Sequence, residues 1–256
     1  MPDPRPPETA TPPRHPSQSR LALRRVRRVV NVWLAVFLGP LYRRKNVGRR
    51  SRIDRSAQIL GWKSIRLGHH VLIGENCWLN VNFPNAEQPC LTIGNYSMIG
   101  RRNMISSGMR LTLGDYTLTG PDCRLIGADH VYDDPFRPYI STGAAPGGTI
   151  EVGDNCWLGA AVQVIGSVKI GRGSVIGAGS LVTRDVPPFS VAVGSPARVL
   201  KRFDMSSMRW IRAEDFTSEM ERLLPSSTDY LASLRSATPT VEMPYLATGF
   251  RAGNAL

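Results

Sequence analysis

His130 stands beside Asp129 with Asp133 and Asp134 close behind, inside the segment GADHVYDDPFRPYISTGAAPGG at 127–148. An imidazole exchanges its proton near neutral pH, and a carboxylate bonded to it fixes its tautomer and stabilises the imidazolium. The chemistry on offer is general-base removal of a proton from an acceptor. A plain surface-loop histidine is the alternative, and position and neighbours alone leave the two open. Of the other three histidines, His15 lies in a Pro-rich tail, and His69 and His70 share one turn. No Ser/His or Cys/His pairing that would form a covalent nucleophile is apparent. Cys77, Cys90, Cys123 and Cys156 lack CxxC spacing. They are expected to be buried, reduced thiols and not a disulfide framework or metal site, which favours a cytosolic setting.

A six-residue rhythm supplies the frame for these side chains. Aliphatic residues recur at Val152, Leu158, Val164, Ile170, Ile176 and Val182, and Gly153, Gly159, Gly171 and Gly177 follow four of them. Cys156, Val162, Val168, Ser174, Ser180 and Val186, four positions further on, are all small or β-branched. A period of six fits neither helix nor strand face and predicts an all-β solenoid. Three hexapeptides make one coil of a triangular prism, with coils stacked about 4.8 Å apart. Earlier repeats are less regular: Ile53 and Ile59, then Leu67, Ile73 and Leu79, then Ile93, Ile99 and Ile105, then Leu113, Thr119 and Leu125. Residues 81–89 and 127–148 break the rhythm and are expected as loops. The longer one, rich in Pro and Gly, is expected to lack regular structure and to carry function.

The net charge of +12 is not spread evenly. Residues 1–55 hold 14 Lys and Arg against 3 Asp and Glu, whereas residues 56–256 hold 18 against 17. Residues 1–19 are expected to be a disordered Pro-rich tail, with no apolar core that would mark a secretory signal. Residues 20–50 are expected to form a basic and apolar helical arm, RLALRRVRRVVNVWLAVFLGPLYRRK in its first part. Its apolar stretch is shorter than the roughly twenty residues a spanning helix needs. Two readings stay open: a cap on the first coil, or an interfacial helix giving peripheral membrane contact through 20–45. No DNA-reading module accompanies the basic clusters, so nucleic acid is not an expected partner. The solenoid is expected over 53–202. Residues 203–256 are expected to be a helical cap and tail: helix over 205–224, then a loose end apart from 230–234.

The run ADHVYDDPFRP, a loop, and then IEVGDNCWLGAAVQVIGSVKIGRGSVIGAGSLVTRDVPPFSVAVGSPARVLKR resembles the hexapeptide-repeat acyltransferases. Within them it is most similar to the galactoside, maltose and polysaccharide O-acetyltransferases. The resemblance is good from Leu113 to Arg202 and only repeat-level over 53–112. It implies a left-handed parallel β-helix, a homotrimer with sites between subunits, and acetyl-coenzyme A as co-substrate without a metal. It implies that His130 is the base, oriented by Asp129, Asp133 or Asp134, and that the acceptor oxygen attacks the thioester directly. Ala160, Ala178, Thr183, Arg184, Arg198 and Lys201 match coenzyme-binding positions; Ala160 departs from the serine common there. Trp157 matches an aromatic near the acetyl group. Asn82, with Asn80 and Asn103, has the chemistry to bond a sugar, although corner roles serve these residues equally well.

The function expected is therefore acetyl transfer to a hydroxyl of a carbohydrate or glycan intermediate, in the cytoplasm or at the inner membrane face. N-acetylation of an amino sugar, or acylation of a xenobiotic on the same fold, is the alternative. A zinc hydratase on this prism needs three His ligands, and the set here is incomplete. A non-catalytic scaffold would have no use for His130 together with the coenzyme-matching end.

Overall fold

Short strands separated by tight corners follow directly from an inward aliphatic at every sixth position. A computed structural model describes residues 45–84, 87–145 and 147–237, all within the unit that begins at Arg43. The tail expected over 1–19, the greater part of the arm expected over 20–50, and residues 238–256 lie outside the described residues.

The chain visits three sheets in fixed rotation. One turn of the regular region runs Trp157–Leu158, Gln163–Ile165 and Val168–Ile170, then returns as Val175–Ile176. Trp157 pairs in parallel with Val175, Gln163 with Leu181, and Val152 with Ile170. Each step of 18 residues is three hexapeptides. Repetition builds a nine-stranded, a six-stranded and a five-stranded sheet, parallel throughout except where the nine-stranded sheet ends. These parallel sheets and their 18-residue register fit the expected coil of stacked hexapeptides.

All six aliphatics of the regular run are at most 3% exposed, and the residues four positions on are buried with them. The earlier rhythm behaves alike from Leu67 onward, and even Thr119 is fully buried in an aliphatic slot. Its Oγ1 accepts the Gly100 N–H at 3.1 Å, which satisfies the hydroxyl inside the core. The four cysteines are buried and free. Burial pushes the Cys123 thiol up to about 11 and the Cys156 thiol up to about 12, so neither is poised as a nucleophile.

Corners are crowded. A Cβ on Gly120 would lie 2.6 Å from the Ala160 nitrogen, and one on Gly114 2.6 Å from the Asp154 nitrogen. Backbone stacks on backbone there, which only glycine permits.

Three expectations need correction. Residues 205–212, expected as helix, include the strand Arg209–Arg212, which pairs antiparallel with Ala197–Asp204. Asp204 accepts the N–H groups of Ser206 and Ser207 and closes the turn. The open edge of Ala197–Asp204 offered unpaired backbone groups, and this demand outweighed helical spacing. A 3-10 turn follows at Ala213–Asp215, and α-helix begins at Ser218–Arg222, capped by the Thr217 side chain. Second, Ser227–Ala237 is one helix, longer than the short stretch expected within a loose end. Third, the loop at 127–148 contains a ribbon, Asp129–His130 against Ala144–Ala145, and a 3-10 turn at Tyr139–Ser141.

Candidate active site

The corner between the nine- and six-stranded sheets holds a column of left-handed residues: Asn76, Arg102, Asp122, Ala161 and Gly179. In the middle coils this corner is charged, with Arg102 gripping both oxygens of Asp122 at 2.7 and 2.6 Å. Two coils later it is stripped to Gly159-Ala160-Ala161 and Gly177-Ala178-Gly179. Ala160 and Ala178 are exposed. Among the described residues their N–H groups meet no acceptor, although the Ala160 carbonyl accepts from Gly179 at 2.8 Å. A corner with no side chain larger than a methyl group but with free donors suits an extended ligand carrying amide carbonyls.

Trp157 adjoins this corner on the outer face of the nine-stranded sheet and is 52% exposed. It continues an apolar column through Leu72, Met98, Leu118, Val175 and Val191, all in direct register. Arg198 and Lys201 lie on the strand Ala197–Asp204 of the same sheet, opposite Val193 and Val191, and both are exposed.

A second group lies at the other end of the six-stranded sheet, where the chain turns toward the five-stranded sheet. His130 leaves this corner on its ribbon, whose base is closed by Gly148 N–H to Gly127 O at 2.6 Å. Thr183 and Arg184 are exposed and follow the last strand of the six-stranded sheet, Leu181–Val182, at the same corner. One chain therefore does not bring them to Ala160 and Ala178.

The imidazole of His130 is exposed and makes no hydrogen bond among the described residues. Its neighbours hold the backbone. Asp129 Oδ1 accepts the His130 N–H at 2.7 Å, and Thr142 Oγ1 donates to Val131 O at 2.6 Å. Asp134 Oδ1 accepts the Phe136 N–H at 2.9 Å, and Asp133 is exposed. None of the three carboxylates bonds the imidazole within the chain.

Asn82 accepts a bond from Ser106 Oγ at 2.7 Å. Asn103 is buried, with its amide donating to Gly100 O and Gly120 O, and is a corner residue. Among the described residues no cluster of three His, Cys, Asp or Glu is placed to hold a metal.

Sequence reasoning missed a ladder on the remaining corner. Asn95, Asp115 and Asp154 each accept, on a side-chain oxygen, the N–H of the coil before: His69, Asn95 and Asp115 respectively. Repetition of Asn or Asp after Gly94, Gly114 and Gly153 was the available signal. Burial is the main cause that raises the Asp154 carboxyl above the usual range, and the Asp115 carboxylate adds to it. The sign follows. A raised folded-state pKa means that this group's stability contribution is full at acid pH and is lost as pH rises through the folded value. Asp154→Asn keeps the acceptor and removes the charge. Its advantage in melting temperature over the parent is expected to widen from pH 4 to pH 7. A constant difference across that range would contradict this.

The comparisons with known proteins follow the same pattern. Residues 149–184 match the family model of the bacterial transferase hexapeptide (six repeats). The chain is 42% identical over 94 residues to a Schizosaccharomyces pombe protein named as an acetyltransferase, covering 37% of this chain and 44% of that one. It is 31% identical over 142 residues to a Mycobacterium tuberculosis protein also named as an acetyltransferase, covering 56% and 45%. The chain thus spans less than half the length of these curated relatives. Among solved structures, AntD, an N-acyltransferase from Bacillus cereus in complex with dTDP and 3-hydroxybutyryl-CoA, matches with a TM-score of 0.51 at 21% identity. The match covers 74% of this chain and 90% of that one and is a likeness of fold. The repeat read from the sequence is the one the family model describes, and the relatives that share it are named acetyltransferases.

Proposed function

We propose that this chain is an acyl-coenzyme A-dependent acyltransferase that moves an acetyl group onto a hydroxyl of a carbohydrate or glycan intermediate. The observation that carries the reading is the bare corner at Ala160 and Ala178. Its free N–H donors stand beside Trp157, whose sheet also carries Arg198 and Lys201. Carbonyls of a pantetheine arm fit such donors, and phosphates fit the cations. The relatives named as acetyltransferases support the same class.

In this reading the coil is left-handed, as the resemblance implies. Three copies assemble so that the corner bearing His130, Thr183 and Arg184 in one subunit faces Ala160 and Ala178 in the next. The separation of these two groups within one chain favours such an arrangement. The coenzyme supplies a thioester carbonyl. His130 takes the proton from the acceptor hydroxyl, whose oxygen attacks that carbonyl, so the ester forms as the thiol leaves. Holding both substrates at one boundary makes the attack effectively intramolecular. Asn82 and the loops around 82–90, 106–112 and 131–148 contact the acceptor. The reaction takes place in the cytoplasm.

Purified protein mixed with acetyl-coenzyme A and a panel of sugars and amino sugars is expected to release free thiol with a hydroxyl acceptor. The product should be an ester that mild alkali cleaves. Alkali-stable products would transfer the reading to amine acceptors, and no thiol release with any member of a broad panel would count against it.

A further inference from the structure

The strand Arg209–Arg212 adds to the nine-stranded sheet beyond the point where the motif resemblance stops. Lys201 pairs with Arg212, Arg202 with Ile211 and Phe203 with Trp210. Side chains alternate across a strand, so the faces can be assigned. Arg202 and Asp204 are buried on the inner side, at 8% and 5% exposure. Arg202 is anchored there by Glu221 at 2.7 Å and lies over the Phe216 ring at 4.1 Å. The outer side accordingly carries Lys201, Phe203, Trp210 and Arg212, and the register shift between Val191 and Ala192 brings Arg198, opposite Val193, to the same side. Phe203 and Trp210 meet edge to face at 5.2 Å, and Trp210 remains 40% exposed.

This face continues the Trp157 column. From Trp157 the register passes through Val175, Val191 and Lys201 to Arg212. Four strand spacings set Arg212 about 19 Å from Trp157 along the stack. An extended ligand whose reacting end sits by Trp157 therefore has its far end on a surface of cations and aromatic rings. That combination suits a phosphorylated purine nucleoside, because the ring face stacks on the base and the cations meet the phosphates.

We infer that Trp210 and Arg212 extend the donor site, with Trp210 against the adenine and Arg212 sharing the 3′-phosphate of the coenzyme with Lys201. The inference rests on the coenzyme reading given under Proposed function. Arg212 also pairs with Glu214, which competes with a phosphate for the guanidinium.

Calorimetric titration with coenzyme A and with 3′-dephospho-coenzyme A tests it. The parent should prefer coenzyme A. Arg212→Gln should weaken coenzyme A about tenfold, as expected for one charge-assisted contact, and leave the dephospho form within about twofold. Trp210→Ala should weaken both forms alike, by about tenfold. Glu214→Gln, which frees Arg212, should tighten coenzyme A about two- to threefold. Arg212 is exposed, so the melting temperature should not move with Arg212→Gln. Parental affinity for coenzyme A in Arg212→Gln, or equal loss for both ligands, overturns the role of Arg212. Parental affinity in Trp210→Ala overturns the stacking role. A parent that binds neither probe overturns the coenzyme reading itself, and this inference with it.

Discussion

Replacing His130 with Ala is expected to lower acetyl transfer by about 10²–10⁴-fold, the range a positioned general base contributes. The imidazole is exposed and bonds to nothing among the described residues, so its removal costs the fold little. The ribbon is held by bonds that the substitution keeps: Asp129 to the residue-130 N–H, and Thr142 to Val131. Affinity for coenzyme A should stay within about twofold, since the corner donors of Ala160 and Ala178 and the cations Arg198 and Lys201 would hold it while the imidazole acts on the acceptor hydroxyl, and twofold is well inside a tenfold step of 1.4 kcal/mol. The combination separates a base from a packing residue. Full turnover in His130→Ala would remove the imidazole from the mechanism. Turnover lost together with melting temperature would assign it a structural part.

The second large effect is on stability. Leu158 is completely buried, between Thr119 in the coil before and Ile176 in the coil after. Leu158→Ala is expected to cost about 2–5 kcal/mol, combining lost transfer free energy with the cavity left behind. In a stack of coils each layer is braced by its two neighbours, so a void in a middle coil weakens two interfaces. For a chain of this size the melting temperature should fall by about 5–15 °C. Lys169→Ala provides the contrast, one outward position between two inward ones on the strand Val168–Ile170. Its ion pair with Glu151 spans 3.7 Å between exposed groups, and its loss should stay within about 0.5 kcal/mol. Equal effects of the two substitutions would contradict the assignment of inner and outer faces.

Much of the frame was legible because the solenoid is a local code. The same six-residue unit recurs, and each unit needs one aliphatic inward and a small residue at the corner, as Leu158 with Val162 and Ile170 with Ser174 display. The chemistry at the corners was less legible. Ala160 and Ala178 came from resemblance, since small residues at a turn have no individual signature until the stacking leaves their N–H groups without partners. The strand Arg209–Arg212 was misread as helix because its side-chain spacing fits a helix and its pairing depends on an edge formed elsewhere. Asp129, Asp133 and Asp134 were indistinguishable as neighbours of His130. The fold commits Asp129 to the backbone of His130 and Asp134 to the Phe136 N–H.

The amino-acid sequence by itself determined the repeat, the inward residues of each coil, the burial of the four thiols and the exposed loop that carries His130. These follow from periodicity and from the cost of leaving apolar surface in water. Only the tertiary structure decided which corner each site residue occupies, that His130 and the bare alanine corner stand at opposite ends of one sheet, and that Trp210 and Arg212 extend the Trp157 column. Those relations depend on how distant coils stack and on which strand edge is left unpaired. Both are set by hydrogen bonds between residues far apart in the chain, which no local pattern encodes.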